Sequence, residues 1–362
     1  MRILIMDNDF AGAYGSFGTF LSEIKSALLT MGHEVEVSHS VGDSVGALAR
    51  GRIDFSIGIG KYEQRLGDFS LYDASGIRHY QWVVDCPYKI DLDTESDRIT
   101  YLFIDRDFGL VDWGVRNRPI YLPLGVLPPL DRTHPKRVAL PGVVFAGQVR
   151  DPSSIRMANL AKDGGRKVSQ AIDFCLANLS RPFLANFGEF TAGMDGVEKR
   201  ALFRPVNSFV RAYKRELVIS QIKSCPVMVV GEVTSRAVLA QRNVRCIGRL
   251  PYAEAFEQMG ASGYALNVEP NFNSGRHDRV IRAPFHSALP VTNAQVNAVD
   301  GLAGTLIEYS YNAVEDIEVA IGEISGDEWM WRLERLRDEI VRSYAWSVLL
   351  QRVVDDFAEV QG

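Results

Sequence analysis

The sequence has few cysteines, and none is paired at the spacing of a metal or redox motif. Its 362 residues include only Cys86, Cys175, Cys225 and Cys246, and no two of them form a CxxC pair. This scatter gives no zinc signature and is typical of reduced thiols in the cytosol. The sequence therefore points away from both a disulfide scaffold and a zinc-binding protein.

Long apolar runs are also missing. No stretch reaches the length that a transmembrane helix needs. The chain passes from Met1-Arg2 directly into a predicted strand, so no secretory leader is expected. The 40 basic and 45 acidic residues give a formal charge of -5, which argues against a protein that coats nucleic acid. We expect a cytoplasmic protein with no transmembrane segment. Peripheral contact with a membrane stays open.

The glycine fingerprint of nicotinamide-binding domains is absent. A predicted strand at 2–6 is followed by a glycine-rich loop at 7–18, a helix near 19–31 and a strand at 34–37. The glycines of this loop do not follow the GxGxxG spacing, so a nicotinamide-binding domain is not favoured. The strand–loop–helix–strand order remains, and it is typical of a doubly wound α/β domain.

The pattern along the whole chain predicts two series of strands and helices. A proline-dense linker, 127–136, separates them. The pattern predicts an α/β protein with two doubly wound Rossmann-like domains, the first at 1–135 and the second at 136–339, and a last helix at 340–362. A basic helix near 207–223 is interpreted as a solvated face, with a phosphate patch as the alternative. The predicted strands after the first two lie near 54–60, 79–85, 100–104, 120–126, 143–147, 227–231, 244–250, 265–268 and 289–291.

The stretch 264–292 carries the densest polar chemistry. It predicts a buried strand, a polar loop, a short helix and another strand, and ligands bind at the carboxyl ends of such strands. Backbone N–H groups of Ser274 and Gly275 can point outward at a helix start. Arg276, His277 and Arg279 crowd the first turn, where cations oppose the helix dipole and a bound anion would offset that cost. A solvated polar loop with surface arginines is the alternative, and the pattern leaves both open.

Several segments resemble one enzyme family. The stretch is similar to the second domain of GT-B glycosyltransferases, especially the CgeB-like group among the glycosyl transferases group 1. Weaker matches on either side follow in the family's order. Within the stretch, the matching pieces are Leu266-Asn267-Val268, 270–275 (PNFNSG), His277-Asp278-Arg279 and 288–291 (ALPV). The weaker matches outside it are 32–35 (GHEV), 123–126 (PLGV), 248–254 (GRLPYAE) and 344–346 (YAW).

The resemblance implies a fold, an activity and partners. Two Rossmann-like domains would face a cleft, with the donor on the second domain and the last helix packed on the first. The enzyme would move a sugar from a nucleotide-sugar donor to a glycan, a lipid-linked acceptor or a small molecule, with no nucleic acid involved. No cofactor and no metal are expected, because helix ends and arginines can stabilise the leaving diphosphate. No metal-spaced DxD lies in a suitable turn; the DxD letters at 105–107 fall in the first domain and are interpreted as surface or structural.

The donor-binding residues follow from the same resemblance. The turn after the first strand of the second domain lies against the diphosphate in the family, and the backbone after Arg249 holds the base. A lone arginine such as Arg150 can equally be solvated. The expected donor contacts are Gly147, Arg150, Arg249, Leu250, Asn273, Ser274, Gly275, Arg276, Asp278 and Arg279.

Catalytic candidates lie mainly at strand ends of the first domain. An inverting transfer needs a base for the acceptor proton. Asp85 is favoured and Asp7 is the reserve, because each follows a predicted strand; Asp9 and His79 are further candidates. Each Asp can instead cap the next turn. His277 belongs to the matched block and is expected to contact sugar or phosphate, or to order its own loop.

Two other functions stay open. Retaining members of the family carry two acidic residues eight positions apart, which contact the donor. Gly275 and Ala283 occupy those positions here. This departure favours a catalytically silent GT-B protein that binds a glycan or a protein, whereas the block Arg276–Arg279 favours activity. A nucleotide-sugar epimerase shares the two-domain architecture and is the third reading.

Overall fold

The chain divides into two compact units. The structure is a computed structural model that describes residues 1–7, 15–59, 65–66, 69–90, 92–129, 142–162, 164–269, 272–295 and 301–361. The first unit contains 1–128, 274–276 and 340–362, and the second contains 129–273 and 277–339. The predicted boundary between residues 135 and 136 lies outside the described residues.

A parallel sheet forms the centre of the first unit. Its strand order is β2-β1-β3-β6-β7-β8, and β4 and β5 form a separate antiparallel pair. The strands are β1 (Arg2–Met6), β2 (Glu34–Ser38), β3 (Phe55–Ile59), β4 (Arg65–Leu66), β5 (Phe69–Ser70), β6 (Arg78–Val83), β7 (Ile99–Phe103) and β8 (Ile120–Tyr121). The helices before the second sheet are α1 (Ser16–Thr30), α2 (Val41–Ala49) and α3 (Leu71–Ser75), with short 3-10 helices at Pro87–Lys89 and Arg106–Leu110.

The second unit repeats this plan with more helix. Its parallel sheet has the order β11-β10-β9-β12-β13-β14. The strands are β9 (Gly142–Ala146), β10 (Val227–Val230), β11 (Val244–Cys246), β12 (Gly263–Asn267), β13 (Leu289–Asn293) and β14 (Ile307–Tyr309). The helices are α4 (Pro152–Leu160), α5 (Gly165–Leu176), α6 (Phe183–Phe190), α7 (Gly196–Gln221), α8 (Arg236–Leu239), α9 (Tyr252–Ser262), α10 (Asp278–Arg282), a 3-10 turn at Ala283–His286, α11 (Asp316–Glu323), α12 (Gly326–Tyr344) and α13 (Trp346–Gln361). The last helix, α13, and the final turn of α12 belong to the first unit.

The apolar runs explain the parallel sheets. Every residue of β3, β7, β12 and β13 is buried, as expected for strands covered by helices on both faces. In the second sheet the chain proceeds outward from β9 in one direction and from β12 in the other, so the strand order reverses between these two strands. The structure confirms the predicted fold class of two doubly wound α/β sheets. It also places the crevice that such sheets offer to ligands at the ends of β9 and β12.

The interpretation of 207–223 as a solvated face is wrong in part. These residues belong to α7, and Lys214 is only 3% exposed. The guanidinium Nε of Arg215 is also removed from solvent. These two side chains therefore face the body of the unit. The sequence pattern had predicted that they would lie on a charged surface.

Trp346 anchors α13 within the first unit. Its indole Nε1 donates to Glu23 at 2.8 Å, and its ring meets Trp82 edge-on with centroids 5.2 Å apart. A Cβ added to Gly125 would lie 2.5 Å from the Trp346 ring, so this site requires glycine. The backbone adds a short parallel bridge, in which Trp346 N donates to Val126 O at 3.0 Å.

Replacing Trp346 should therefore destabilise the first unit. Trp346→Ala removes a fully buried indole and its hydrogen bond to Glu23, so the free energy of unfolding should fall by about 3–5 kcal/mol. Chemical denaturation followed by far-UV circular dichroism measures this. The matched control is Trp331→Ala, whose side chain is 54% exposed and should change stability by less than about 0.5 kcal/mol. Equal losses for the two variants would contradict the anchoring role.

Candidate functional site

Arg279 links two elements at the carboxyl edge of the second sheet. Its side chain is buried, and its Nη1 donates to the carbonyl oxygen of Ala146 at the end of β9. The guanidinium lies 5.2 Å from the centroid of the Phe145 ring, within cation–π range. Its Nε has no hydrogen-bond partner among the described residues. The residue thus has a fixed position and one donor that remains unsatisfied.

A second guanidinium approaches the same aromatic ring. Arg215 of α7 donates from Nη1 to the carbonyl oxygen of Gln148 at 2.9 Å and lies 5.4 Å from the Phe145 centroid. Burial lowers the pKa of Arg215 and of Arg279, and repulsion from Arg211 lowers both further. Glu269 opposes this effect in both cases. Positive charge is therefore concentrated at this edge of the sheet, at an energetic cost that an anion would reduce.

Lys214 and Glu269 add an ionisable pair of groups beside the arginines. Burial lowers the pKa of Lys214 to about 8, although Glu269 favours its charged form. The Lys214 ammonium lies 4.1 Å from the Tyr311 ring centroid. Glu269 lies two residues after the end of β12, is 5% exposed, and has an Oε2 atom with no hydrogen-bond partner among the described residues. Neither residue was among the site candidates drawn from the sequence; the position of Glu269 at a strand end was the signal that could have revealed it.

These groups border an open pocket within the second unit. Its cavity volume is about 20 Å³, and it lies where the α5–α6 connection and α7 meet the ends of β12 and β13. Of the predicted site residues, only Asn273 lines it. The lining residues are Leu179, Ser180, Arg181, Pro182, Phe183, Lys214, Glu269, Phe272, Asn273, Asn293, Ala294, Gln295 and Tyr311.

His277 and Asp278 begin α10. His277 is its N-cap residue, and its Nδ1 accepts from the backbone N–H of Arg279. Tyr252 donates to Asp278 Oδ2 at 2.8 Å. Burial alone would raise the pKa of Asp278, but the neighbouring His277 imidazole and these contacts hold it well below its usual range. With five residues, α10 is also too short to supply the dipole expected of a full helix.

The backbone donors expected to hold a phosphate are already engaged. Ser274 N and Gly275 N each donate to Asp105 Oδ2 at 3.1 Å, and the Ser274 hydroxyl donates to Asp105 Oδ1 at 2.9 Å. A Cβ at Gly275 would lie 2.5 Å from the carbonyl oxygen of Ile104. Residues 274–276 belong to the first unit, and Arg276 is buried there. Asp105 is therefore a buried structural anion that occupies the position predicted for a ligand anion.

The remaining donor-binding candidates are spread around the second unit. Gly147 N donates to Val230 O at 2.9 Å, which joins the ends of β9 and β10. Arg150 is exposed in the loop before α4. Arg249 pairs with Glu232 at 3.0 Å on the surface, and Leu250 packs against the apolar cluster beneath α9.

Asp85 forms an ion pair in the first unit, and Asp7 lies within hydrogen-bond distance of a histidine. The Asp85 carboxylate, 54% exposed at the side chain, accepts from Lys89 Nζ at 2.7 Å one helical turn later. Asp7 lies 3.1 Å from His39 Nδ1. Asp9 falls outside the described residues. Both described carboxylates follow strands of the first sheet, as the sequence predicted, and their catalytic role stays a prediction.

His79 does not fit the role of a base. It is fully buried in β6, with Nδ1 2.9 Å from the Ser56 hydroxyl and a ring stacked on Tyr72 at 3.9 Å between centroids. Burial lowers its pKa to about 3, while the hydrogen bond to Gln81 acts in the opposite direction. A histidine that stays neutral in the core has no access to an acceptor hydroxyl, so this candidate is rejected.

Two features are missing from the described part of the chain. There, no group of three or more His, Cys, Asp or Glu side chains is arranged to hold a metal ion. Nor does any helix in those ranges combine the length and the apolar character needed to cross a bilayer. Metal independence remains a prediction.

Comparison with known proteins adds structural evidence only. No protein-family model and no curated protein matches the chain. An α-glucosyltransferase solved with UDP and a 13-mer DNA containing an HMU base aligns with a TM-score of 0.58 and 13% identity, covering 99% of both chains. The DNA-modifying enzyme β-glucosyltransferase gives a TM-score of 0.55 at 11% identity, covering 99% of each chain. Sucrose-phosphate synthase from Thermosynechococcus elongatus gives 0.54 at 11% identity, again with 99% coverage of each. The chain therefore has the GT-B fold of glycosyltransferases.

Asp105 should stabilise the segment 274–276 as a carboxylate. Asp105→Asn keeps its shape but replaces one acceptor oxygen by an amide donor, which would face a backbone N–H. The free energy of unfolding should fall by about 1.5–3 kcal/mol, the range for hydrogen bonds to a charged group. Asp97→Asn, at a side chain 81% exposed, is the matched control. Urea denaturation of both variants measures the difference, and an Asp105→Asn protein as stable as the control would rule out this role.

Proposed function

We propose that this protein is a nucleotide-sugar-dependent glycosyltransferase that acts without a metal on a glycan, a lipid-linked acceptor or a small molecule. The observation that carries the proposal is the concentration of buried positive charge at the reversal point of the second sheet. Doubly wound sheets bind their ligands there. The GT-B fold, matched along nearly the whole chain by glycosyltransferases, supports the same reading.

The donor diphosphate is the anion that this site best accommodates. Arg279 and Arg215 share the Phe145 ring and have fixed orientations, so little rearrangement is needed when the leaving group gains charge. Arg279 keeps one donor unsatisfied among the described residues. In this proposal the two guanidinium groups replace the Ser274 and Gly275 N–H groups, which Asp105 already occupies.

Removing Arg279 should weaken donor binding through the diphosphate. Arg279→Met should lower the affinity for a nucleoside diphosphate or nucleotide sugar by about 1.5–3 kcal/mol, roughly 10- to 150-fold. The bare nucleoside should be affected much less. Calorimetry with UDP-, GDP-, dTDP- and CMP-sugars and the matching nucleosides measures this. Arg242→Met, an exposed arginine at the amino end of β11, is the control. Equal losses for nucleotide and nucleoside would mean that Arg279 only holds the fold.

The acceptor base is proposed to come from the first unit, with Asp85 favoured and Asp7 in reserve. Asp85→Asn preserves shape and removes basicity. Turnover should fall at least 100-fold, the lower range for general base catalysis, while donor affinity stays within about two-fold. Asp97→Asn serves again as the exposed control. Turnover close to wild type in Asp85→Asn would remove this residue from the mechanism and favour a retaining route, in which the leaving phosphate takes the proton.

A catalytically silent GT-B protein is the second candidate function. Ala283 stands where retaining relatives carry an acid, and it is fully buried in the apolar cluster under α9. Gly275, at the other acidic position, approaches the Ile104 carbonyl too closely for any side chain. Donor binding without transfer or hydrolysis would support this candidate. Release of an epimerised nucleotide sugar would instead indicate an epimerase.

Acceptor and metal need their own assays. Membership of the CgeB-like group and a cytoplasmic location are also part of the proposal; the first rests on the matching sequence pieces and the second on the scattered, unpaired cysteines. The acceptor panel should include hydroxymethylated DNA, because two of the solved structures are described as acting on or binding DNA. Transfer that persists in EDTA would support metal independence, and loss of transfer restored by Mg²⁺ or Mn²⁺ would contradict it.

A further inference from the structure

We propose that one end of the helical layer formed by α4, α5 and α7 in the second unit is a docking surface for an anionic membrane. The sequence leaves peripheral contact with a membrane open and gives it no location. The inference goes beyond the proposed function and does not rest on it, because docking needs neither a nucleotide nor a sugar. The docking surface consists of Met157, Leu160, Lys162, Arg166, Val197 and Arg200.

Two apolar side chains are unusually exposed on this surface. Val197 is 69% exposed and Met157 is 67% exposed, the highest values among the large apolar side chains of the described residues. Leu160, one turn after Met157 on α4, is 45% exposed. Isolated exposed apolar residues are ordinary, but several on one surface indicate an interaction site. A membrane interface would remove these side chains from water.

Contacts between the three helices bring the apolar side chains to the same end of the layer. A Cβ added to Gly165, the first residue of α5, would lie 2.8 Å from Leu160 Cα, so α5 begins directly against the end of α4. Another contact joins α5 to α7, where Lys167 Nζ donates to Glu198 Oε1 at 3.0 Å. Glu198 directly follows Val197 in the first turn of α7. A continuous series of contacts therefore connects Leu160 with Val197.

Exposed basic side chains flank the apolar ones. Lys162 follows α4, and Arg166 is the second residue of α5. On α7, Val197, Arg200 and Arg204 recur at helical spacing and are all exposed, so they share one face. Apolar and basic side chains side by side are typical of helices that lie at a membrane interface.

Positive charge exceeds negative charge at this end of the layer. Segments 160–167 and 195–204 contain six basic and three acidic residues, whereas the whole chain has a formal charge of -5. Of the acidic residues, Glu198 is paired with Lys167, and Asp195 caps α7 by accepting from two backbone N–H groups at 2.8 Å each. The third lies outside the described residues. A surface with this excess of positive charge is attracted to the phosphate-bearing headgroups of an anionic leaflet.

A bilayer fits the docking surface better than a second copy of the chain does. A two-fold contact would place the same surface on itself, so that like charges would oppose each other. Met157 and Val197 are about two-thirds exposed on the outer faces of their helices. A fluid lipid interface accepts such protruding side chains without a complementary shape. Headgroup phosphates would meet the basic residues while the apolar side chains enter the acyl boundary.

Vesicle co-sedimentation tests the proposal with the full chain and with no nucleotide or sugar present. The probes are phosphatidylcholine vesicles with and without phosphatidylglycerol, at low and at high salt. The apolar variant combines Met157→Gln with Val197→Gln, and the charge variant combines Arg166→Gln with Arg200→Gln. Glutamine is used because it favours the helix about as well as the residues it replaces. Circular dichroism verifies folding, and the charge variant carries the test if the apolar variant does not fold.

Each surface variant has a matched control elsewhere on the chain. The apolar control combines Val319→Gln on α11 with Leu239→Gln on α8, at side chains that are 57% and 56% exposed. The charge control combines Arg242→Gln with Arg352→Gln, at two exposed arginines. The controls change overall hydropathy and net charge as the surface variants do, but leave the docking surface intact.

We expect wild-type protein to sediment with the anionic vesicles and not with the neutral ones. High salt should weaken this binding, because ions screen the attraction to the headgroups. The charge variant should bind about 10- to 25-fold more weakly, since each basic side chain near an anionic leaflet contributes roughly five-fold. The apolar variant should bind about ten-fold more weakly, because less apolar surface leaves water. Both controls should resemble the wild type.

Several outcomes would overturn the proposal. One is a lack of binding to anionic vesicles, and another is binding that the controls weaken as much as the surface variants do. Soluble poly-glutamate that binds as tightly as the vesicles would indicate an acidic protein partner instead. Soluble glycerol phosphate that abolishes sedimentation would indicate a site for a single phosphate. A dimer in size-exclusion chromatography that the apolar variant abolishes would assign the surface to a second copy of the chain.

Discussion

The burial of guanidinium groups at the end of β9 is the constraint on which the candidate site depends. A charged group leaves water only where hydrogen bonds and opposite charges replace its hydration. Arg279 meets that requirement in part, through the Ala146 carbonyl and the Phe145 ring. Arg215 does so through the Gln148 carbonyl and the same ring. The same contacts that stabilise the charges also fix the geometry of β9, α7 and α10 around a position suited to an anion.

The connection between β12 and α10 serves two purposes that a sequence pattern does not separate. Its first part places Glu269 and Asn273 in the pocket of the second unit. Its middle part, 274–276, is bound in the first unit by the Asp105 carboxylate. One polar loop therefore lines a pocket of the second unit with its first part and packs within the first unit with its middle part. The glycine at 275 is explained by close approach to Ile104 rather than by a bound phosphate.

The fold was predictable because it depends on signals that are local and strong. Buried apolar runs of four to six residues, such as those of β3 and β12, indicate parallel strands, and their alternation with helices indicates a doubly wound sheet. The site was predictable only where a residue's partners are near it in sequence, as with His277 at the start of α10. Asp105 and Ser274 are 169 residues apart, so no sequence window showed that one would satisfy the other. Lys214 was misjudged because a basic helix has the same composition whether a given lysine faces solvent or the interior.

Side chains, rather than backbone, are left to provide the chemistry of this site. The N–H groups of Ser274 and Gly275 donate to Asp105, α10 has five residues, and Ala283 is enclosed by apolar neighbours. An acidic residue at 283 would be buried among those neighbours, which disfavours a charge without a partner. What the second unit offers instead is two guanidinium groups near Phe145 and an oppositely charged pair, Lys214 and Glu269, in the adjoining pocket. In the proposed function, the two guanidinium groups are the ones that would hold the donor diphosphate.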